Sequence, residues 1–261
     1  MSGVGKVSFG KPKDGKPNVT SVTATSVEVL PPLVVAIDGP SGSGKSSTAR
    51  GVAQRLGLAY LDTGSMYRAV AVAFLDDHVD ADDEAAIEAL VDAHDYSVGT
   101  DPTAPTIAVD GRDVTDAIRD PRVTAQVSTI ATNLGVRRAL SQRMRDLVVE
   151  HAERMVVEGR DITTKVCPDA HVRVLLVADP QARIQRREAE LAGLADTATV
   201  TDQIVRRDRD DATVSEFEQP ADGVTLIDST HLTLAEVIDR IVALVPLSES
   251  PEQPHHQNSP T

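Results

Sequence analysis

The sequence predicts an α/β fold: a five-stranded parallel sheet with helices on both faces, carrying a small β-containing insertion. Three observations carry that expectation. Residues Leu33 to Leu56, LVVAIDGPSGSGKSSTARGVAQRL, read as strand, glycine-rich loop and helix in direct succession. Short apolar runs then alternate with segments of helical period along most of the chain. The run from Val172 to Ala178 has the apolar character of a strand covered on both faces.

Each element follows in order. The first strand, Leu33 to Ile37, is apolar and partly β-branched; in the helix after it Ala49, Val52, Ala53 and Leu56 share one face, and Gly57 is a stop. Leu58 to Leu61 is a second strand, ended by Asp62-Thr63-Gly64. Helices are expected over about 65–75 and about 82–93, the latter acidic and alanine-rich. Tyr96 to Val98 and Thr106 to Val109 read as short antiparallel strands, the second leading into Asp110-Gly111, a hairpin signal. No crossover helix follows this β segment, which marks it as an insertion. Helices return over about 121–129 and 134–153, the latter with Leu140, Met144, Leu147 and Val148 on one face. Met155 to Val157 is the third core strand and ends in Glu158-Gly159-Arg160-Asp161. After the fourth strand, Asp179-Pro180 opens a helix as N-cap and first-turn proline, with Arg183, Arg186 and Arg187 on its face. Another helix is expected from about Thr201 through Asp211, then a fifth strand at Val224 to Ile227 and a closing helix at Leu232 to Val245.

Composition excludes several classes. The chain has 261 residues, 41% hydrophobic and 25% charged, ordinary for a globular protein able to bury a sizeable core. With 26 Lys+Arg against 40 Asp+Glu, a net charge of -14, it lacks the broad basic face of a nucleic-acid binder. The single cysteine, Cys167, rules out an internal disulfide and reads as a structural thiol. No apolar run is long enough to span a membrane and no signal peptide is evident, so a cytoplasmic address is expected. Residues 1–32 end at Pro31-Pro32 and read as a disordered extension; residues 248–261, with Pro251, Pro254 and Pro260, read as a disordered tail.

Chemistry concentrates first in the loop. Gly39, Pro40, Ser41, Gly42, Ser43, Gly44, Lys45 and Ser46 fit G-x-x-x-x-G-K-[ST], between strand and helix as the phosphate-binding loop requires. Glycines let successive N–H groups point inward at phosphate oxygens, and the helix N-terminus adds partial positive charge. Lys45 would bridge the β- and γ-phosphates, and the Ser46 hydroxyl would complete the shell of a Mg²⁺ ion. The bland reading is a glycine-serine turn that binds nothing. Strand, lysine, hydroxyl and helix in register favour a nucleotide triphosphate.

Ligands of open parallel sheets sit beyond the carboxyl ends of the strands, and the polar clusters fall there. Asp62, Thr63, Tyr67 and Arg68 follow strand two, Arg160 and Asp161 follow strand three, and the arginine-rich helices follow strand four. Arginines converging in so acidic a chain suit a substrate with its own phosphate, and phosphoryl transfer asks mainly for positioning and charge neutralisation. Each arginine alone could equally belong to a solvated helix face.

These residues resemble a known family. Gly39 to Ser47, Asp62-Thr63-Gly64-Ser65-Met66-Tyr67-Arg68, Glu158-Gly159-Arg160-Asp161 and Ile227-Asp228-Ser229-Thr230 look like bacterial cytidylate kinase, a nucleoside-monophosphate kinase with a phosphate loop. The likeness runs from about Leu33 to Val245, within an expected domain of residues 33–247. The resemblance implies transfer of phosphate from ATP to CMP and dCMP, with Mg²⁺, by a monomer that engages no polymer and no membrane. It places a CMP-binding insertion at about 94–130 and a lid at about 180–215. It also implies that Thr63, Arg68 and Arg160 hold the CMP phosphate region, that Ser128, Arg137 and Asp161 read the cytosine, and that Arg207 and Asp211 contact the sugar. Gly39 to Ser47 would bind ATP, and Lys45, Arg183, Arg187 and Arg207 would act on the transferred group, with Arg186 beside them in the lid.

One departure stands out. The family's lid pattern, Arg-Asp-x-x-Asp-x-x-Arg before Pro-Leu, is met by Arg207, Asp208 and Asp211, but Val214 stands at the last arginine and Phe217-Glu218 in the Pro-Leu region. Arg206 or Arg209 is expected to substitute. Two other readings stay open on the residues alone: another kinase on the same fold, of UMP or shikimate type, and a non-catalytic nucleotide switch. The switch would want an N-K-x-D-like guanine-reading segment, and none is present.

Overall fold

The structure, a computed structural model, describes residues 30–191, 209, 213 and 219–246. The extension up to residue 29 and the tail from 247 lie outside it, as do the helix expected near 201–211 and the Val214 departure; only Arg209 and Thr213 of that stretch are described.

Eight strands and seven α-helices make up the regular structure of the described residues. In chain order they are β1 (Leu33–Asp38), α1 (Lys45–Leu56), β2 (Ala59–Asp62), α2 (Thr63–Asp76), α3 (Glu84–Ala93), β3 (Tyr96–Gly99), β4 (Thr106–Val109), β5 (Arg112–Asp113), α4 (Pro121–Thr132), α5 (Leu134–Glu150), β6 (Arg154–Gly159), β7 (Val172–Val177), α6 (Pro180–Leu191), β8 (Thr225–Asp228) and α7 (Leu234–Val242). The main sheet has the order β2-β6-β1-β7-β8, all parallel, as the apolar runs predict. Alternation along β1 splits the core in two. Val34 and Ala36 face the side covered by α2, α4 and α5, whereas Val35 and Ile37 pack with α1 and α7. On that second side Gly51 of α1 meets Ile238 so closely that a Cβ would lie 2.3 Å from its Cδ1.

The insertion is a three-stranded antiparallel sheet, β3-β4-β5. Its turn is the predicted Asp110-Gly111, with φ of 50° and 75°, the left-handed pair that tight hairpins demand. α5 ends at Glu150, three residues before the expected 153. Ala152 and Glu153 take φ of 54° and 55°, turning the chain into β6, and the Glu153 carbonyl accepts from Leu33 N–H. α2 starts at Thr63 rather than Ser65 because Asp62 caps it, its carboxylate accepting from Ser65 N–H.

One segment had no sequence signal: a π-helical turn over Ile162–Val166. Buried Asp38, at the end of β1, holds it. Its carboxylate accepts from Ile162 N–H at 2.8 Å, Thr163 N–H at 2.8 Å and Thr163 Oγ1 at 2.6 Å. Burial pushes the Asp38 carboxyl above its usual range, against the pull of those bonds. This clamp sets where Arg160 and Asp161 emerge from β6. No helix among the described residues is long and apolar enough to cross a membrane.

Candidate active site

A cleft opens at the carboxyl ends of β1, β2 and β6. One end of it is the loop between β1 and α1. Gly42 and Gly44 stand at φ of 75° and 87°, where a side chain would be strained. A Cβ on Gly39 would lie 2.2 Å from the Leu176 carbonyl. Gly44 is the N-cap of α1 and brings no side-chain cap hydrogen bond, so the helix N-terminus faces the cleft uncapped by a side chain. Ser43 is buried and its Oγ has no hydrogen-bond partner among the described residues. Such an orphaned hydroxyl beside a helix N-terminus with no side-chain cap fits an anion.

Arginines clasp the back of the loop. Arg160 donates to the Gly39 carbonyl at 3.1 Å, Arg183 to that of Ser41 at 3.1 Å and Arg186 to that of Ser43 at 3.1 Å. Arg186 also donates to the Ser229 carbonyl at 2.6 Å, tying the loop to the end of β8. Lys45 curls over the loop, its Nζ donating to the Pro40 carbonyl at 3.3 Å. Ser41, Gly42, Gly44, Lys45, Ser46 and Ser47 line the cleft, while Gly39, Pro40 and Ser43 form the loop's back.

Beneath the loop lies Glu158, a residue sequence reasoning quoted in a motif but gave no role. Buried at the end of β6, where it lines the floor of the cleft, it accepts from Ser46 Oγ at 2.6 Å and from Tyr60 Oη at 3.1 Å. Burial, and then the nearby Asp62 carboxylate, push its carboxyl up to about 7, against the pull of Lys45 and both hydroxyls. Its one sequence signal was an acidic residue closing an otherwise apolar core strand. Among the described residues no cluster of His, Cys, Asp and Glu is built to hold a metal by itself. Ser46 and Glu158 nonetheless offer oxygen donors where a hard cation arriving with phosphates would sit, the usual way Mg²⁺ is held.

The other end of the cleft is walled by α2, α4 and α5. Thr63 is buried and donates to the Glu158 carbonyl at 2.8 Å. Arg68 donates to the Ile118 carbonyl at 2.8 Å and to Thr124 Oγ1 at 2.9 Å. Arg137 and Asp161 pair at 2.5 Å, and the Arg137 guanidinium lies 5.9 Å from the Tyr67 ring centroid. Val127, Ala131 and Met144 add apolar wall. Thr63, Arg68, Arg137, Arg160 and Asp161 all line this one cleft. Ser128 is half-buried on α4, beside Val127, which lines the cleft. Arg187 lies in α6 with its side chain outside the described residues, and Arg207 and Asp211 lie wholly outside them. Cys167 is half-buried, and burial pushes its thiol up to about 11, far from a nucleophile's range.

The sequence profile described as Cytidylate kinase matches residues 35–247 of the chain. The chain belongs to the cytidylate kinase family. A cytidylate kinase of Cutibacterium acnes is 58% identical over 219 residues, covering 83% of this chain and 97% of the relative. Relatives of the same name from Rhodococcus jostii and Streptomyces avermitilis are 45% and 43% identical, over 82% and 84% of this chain and 94% and 95% of their own lengths. The family member is thus a phosphotransferase, and neither a shikimate-type kinase nor a non-catalytic switch is favoured by these matches.

Proposed function

We propose that the protein transfers the γ-phosphoryl group of ATP directly to the phosphate of CMP or dCMP, giving ADP and the nucleoside diphosphate. The observation that carries this reading is the continuity of one cleft from the phosphate loop to the Arg137–Asp161 pair. The acceptor's phosphate is already an anionic nucleophile, so its oxygen attacks the γ-phosphorus in line and the bond to the ADP oxygen breaks. No general base is needed. Loop N–H groups and Lys45 hold the donor phosphates; Arg68 and Arg160 exchange backbone carbonyl partners for the acceptor's phosphate, a stronger, charge-assisted bond. Ser46 and Glu158 would hold a Mg²⁺ ion, which when bound neutralises charge on the β- and γ-oxygens. Asp161 accepts from the exocyclic amine of cytosine and Arg137 donates to its acceptors, so a base of other pattern leaves buried groups unpaired. Ile118 and Arg119, just after the antiparallel insertion, line the acceptor side, and α6 would begin a lid, with Arg183 donating to the loop.

An acceptor screen with ATP and CMP, dCMP, UMP, AMP and shikimate tests the reading. CMP and dCMP are expected to give the highest kcat/KM; equal or better turnover of the others would overturn it.

A further inference from the structure

Tyr60 does more than fill space. Its ring is 2% exposed within the core shared by α1 and α7, a site that phenylalanine would pack equally well. A hydroxyl there costs free energy unless it is bonded, and its one hydrogen bond among the described residues goes to Glu158 Oε1. Ser46 Oγ donates to that same oxygen. Two donors on one oxygen set the rotation of the carboxylate and leave the lone pairs of Oε2 outside both bonds. A Ser46 hydroxyl whose proton points at Oε1 presents its own lone pairs away from that carboxylate. Ser46 lines the cleft, and Tyr60 does not.

We infer that Tyr60 is a positioning residue for the cation end of the donor site: through Glu158 it sets the direction in which Ser46 offers its lone pairs. This rests on the Mg²⁺ reading given above. Tyr60 touches neither nucleotide nor cation, so its removal weakens cation binding without altering the acceptor pocket.

Mn²⁺ binding in the presence of saturating ADP, read by electron paramagnetic resonance, tests it. Tyr60→Phe is expected to weaken Mn²⁺ binding roughly 3–10-fold, the scale typical of lost outer-shell support, with KM for CMP unchanged. In a Glu158→Ala background, with no side-chain oxygen to accept the hydroxyl, the same substitution is expected to have no further effect, because the path runs through that side chain. Wild-type Mn²⁺ affinity in Tyr60→Phe, or independent effects of the two substitutions, would overturn the inference. Failure of the wild type itself to bind Mn²⁺ with ADP would instead overturn the Mg²⁺ reading beneath it. A second readout needs no destabilised variant: in protein carrying 3-fluorotyrosine, the Tyr60 fluorine resonance is expected to shift when Mg²⁺ is added with ADP present. An unmoved resonance would also count against the role.

Discussion

Arg137 and Asp161 meet at 2.5 Å with side chains only 12% and 10% exposed, although they stand 24 positions apart. One comes from α5 and the other from the bend after β6, so the pair exists only because the Asp38 clamp and the α5 packing bring them together. Asp161→Asn leaves a cation enclosed with its carboxylate partner gone, a change that costs about 3–5 kcal/mol in buried pairs. It is expected to lower stability in urea unfolding and to raise KM for CMP at least about tenfold, with the preference for cytosine over uracil reduced. An unaltered preference would mean that the pair is structural only.

Lys45→Ala removes the cation that the loop keeps over Pro40. Far-UV circular dichroism and melting temperature are expected to stay near those of the wild type, since the side chain packs in neither core. The kcat is expected to fall by about 10²–10³-fold or more, the scale of losing one preorganised charge stabiliser. Steady-state assays with ATP and CMP check this, and near-normal turnover would contradict the assignment of the loop.

Glu158 makes the unliganded protein's stability depend on pH in a definite direction. Its folded value of about 7 lies above its ordinary 4.5, so folding favours the neutral acid. The contribution is full below 4.5 and is lost as pH rises through 7, on the order of 3 kcal/mol at about 1.36 kcal/mol per unit. Urea unfolding at pH 5 and pH 8 should show the wild type losing stability relative to Glu158→Gln as pH rises. A constant difference between the two would refute the enclosed, proton-holding carboxyl.

His94 ties the insertion to the helices beneath it. Its ring bonds Asp110 at 2.7 Å and Asp77 at 3.0 Å, joining the hairpin turn to the ends of α3 and α2. The hydrogen bond to Asp110, more than that to Asp77, raises its affinity for a proton. The raised value means that this clasp is complete below the ordinary histidine range and weakens as pH climbs through it. His94→Gln should therefore lower the melting temperature more at pH 6 than at pH 8.5, and added salt should shrink the gap because both carboxylates are exposed. Equal losses at both pH values would show that the ring acts by packing alone.

The sequence by itself determined the phosphate loop, the alternation of strand and helix and the Asp110-Gly111 hairpin. Each is written in local periodicity or in a residue type that the backbone conformation requires. Arg68, Arg160 and Asp161 were legible as polar residues closing strands at the sheet's carboxyl edge; Arg137 was reached only through the family resemblance. What tertiary structure alone decided is the company that buried groups keep. Nothing local to Tyr60 says that its hydroxyl shares an oxygen with Ser46, nor does anything local to Asp38 say that it clamps a π turn more than 120 residues away. Adjacency across β2, β6 and β1 depends on strand order, and strand order is set by how two cores close around one sheet rather than by any stretch of chain.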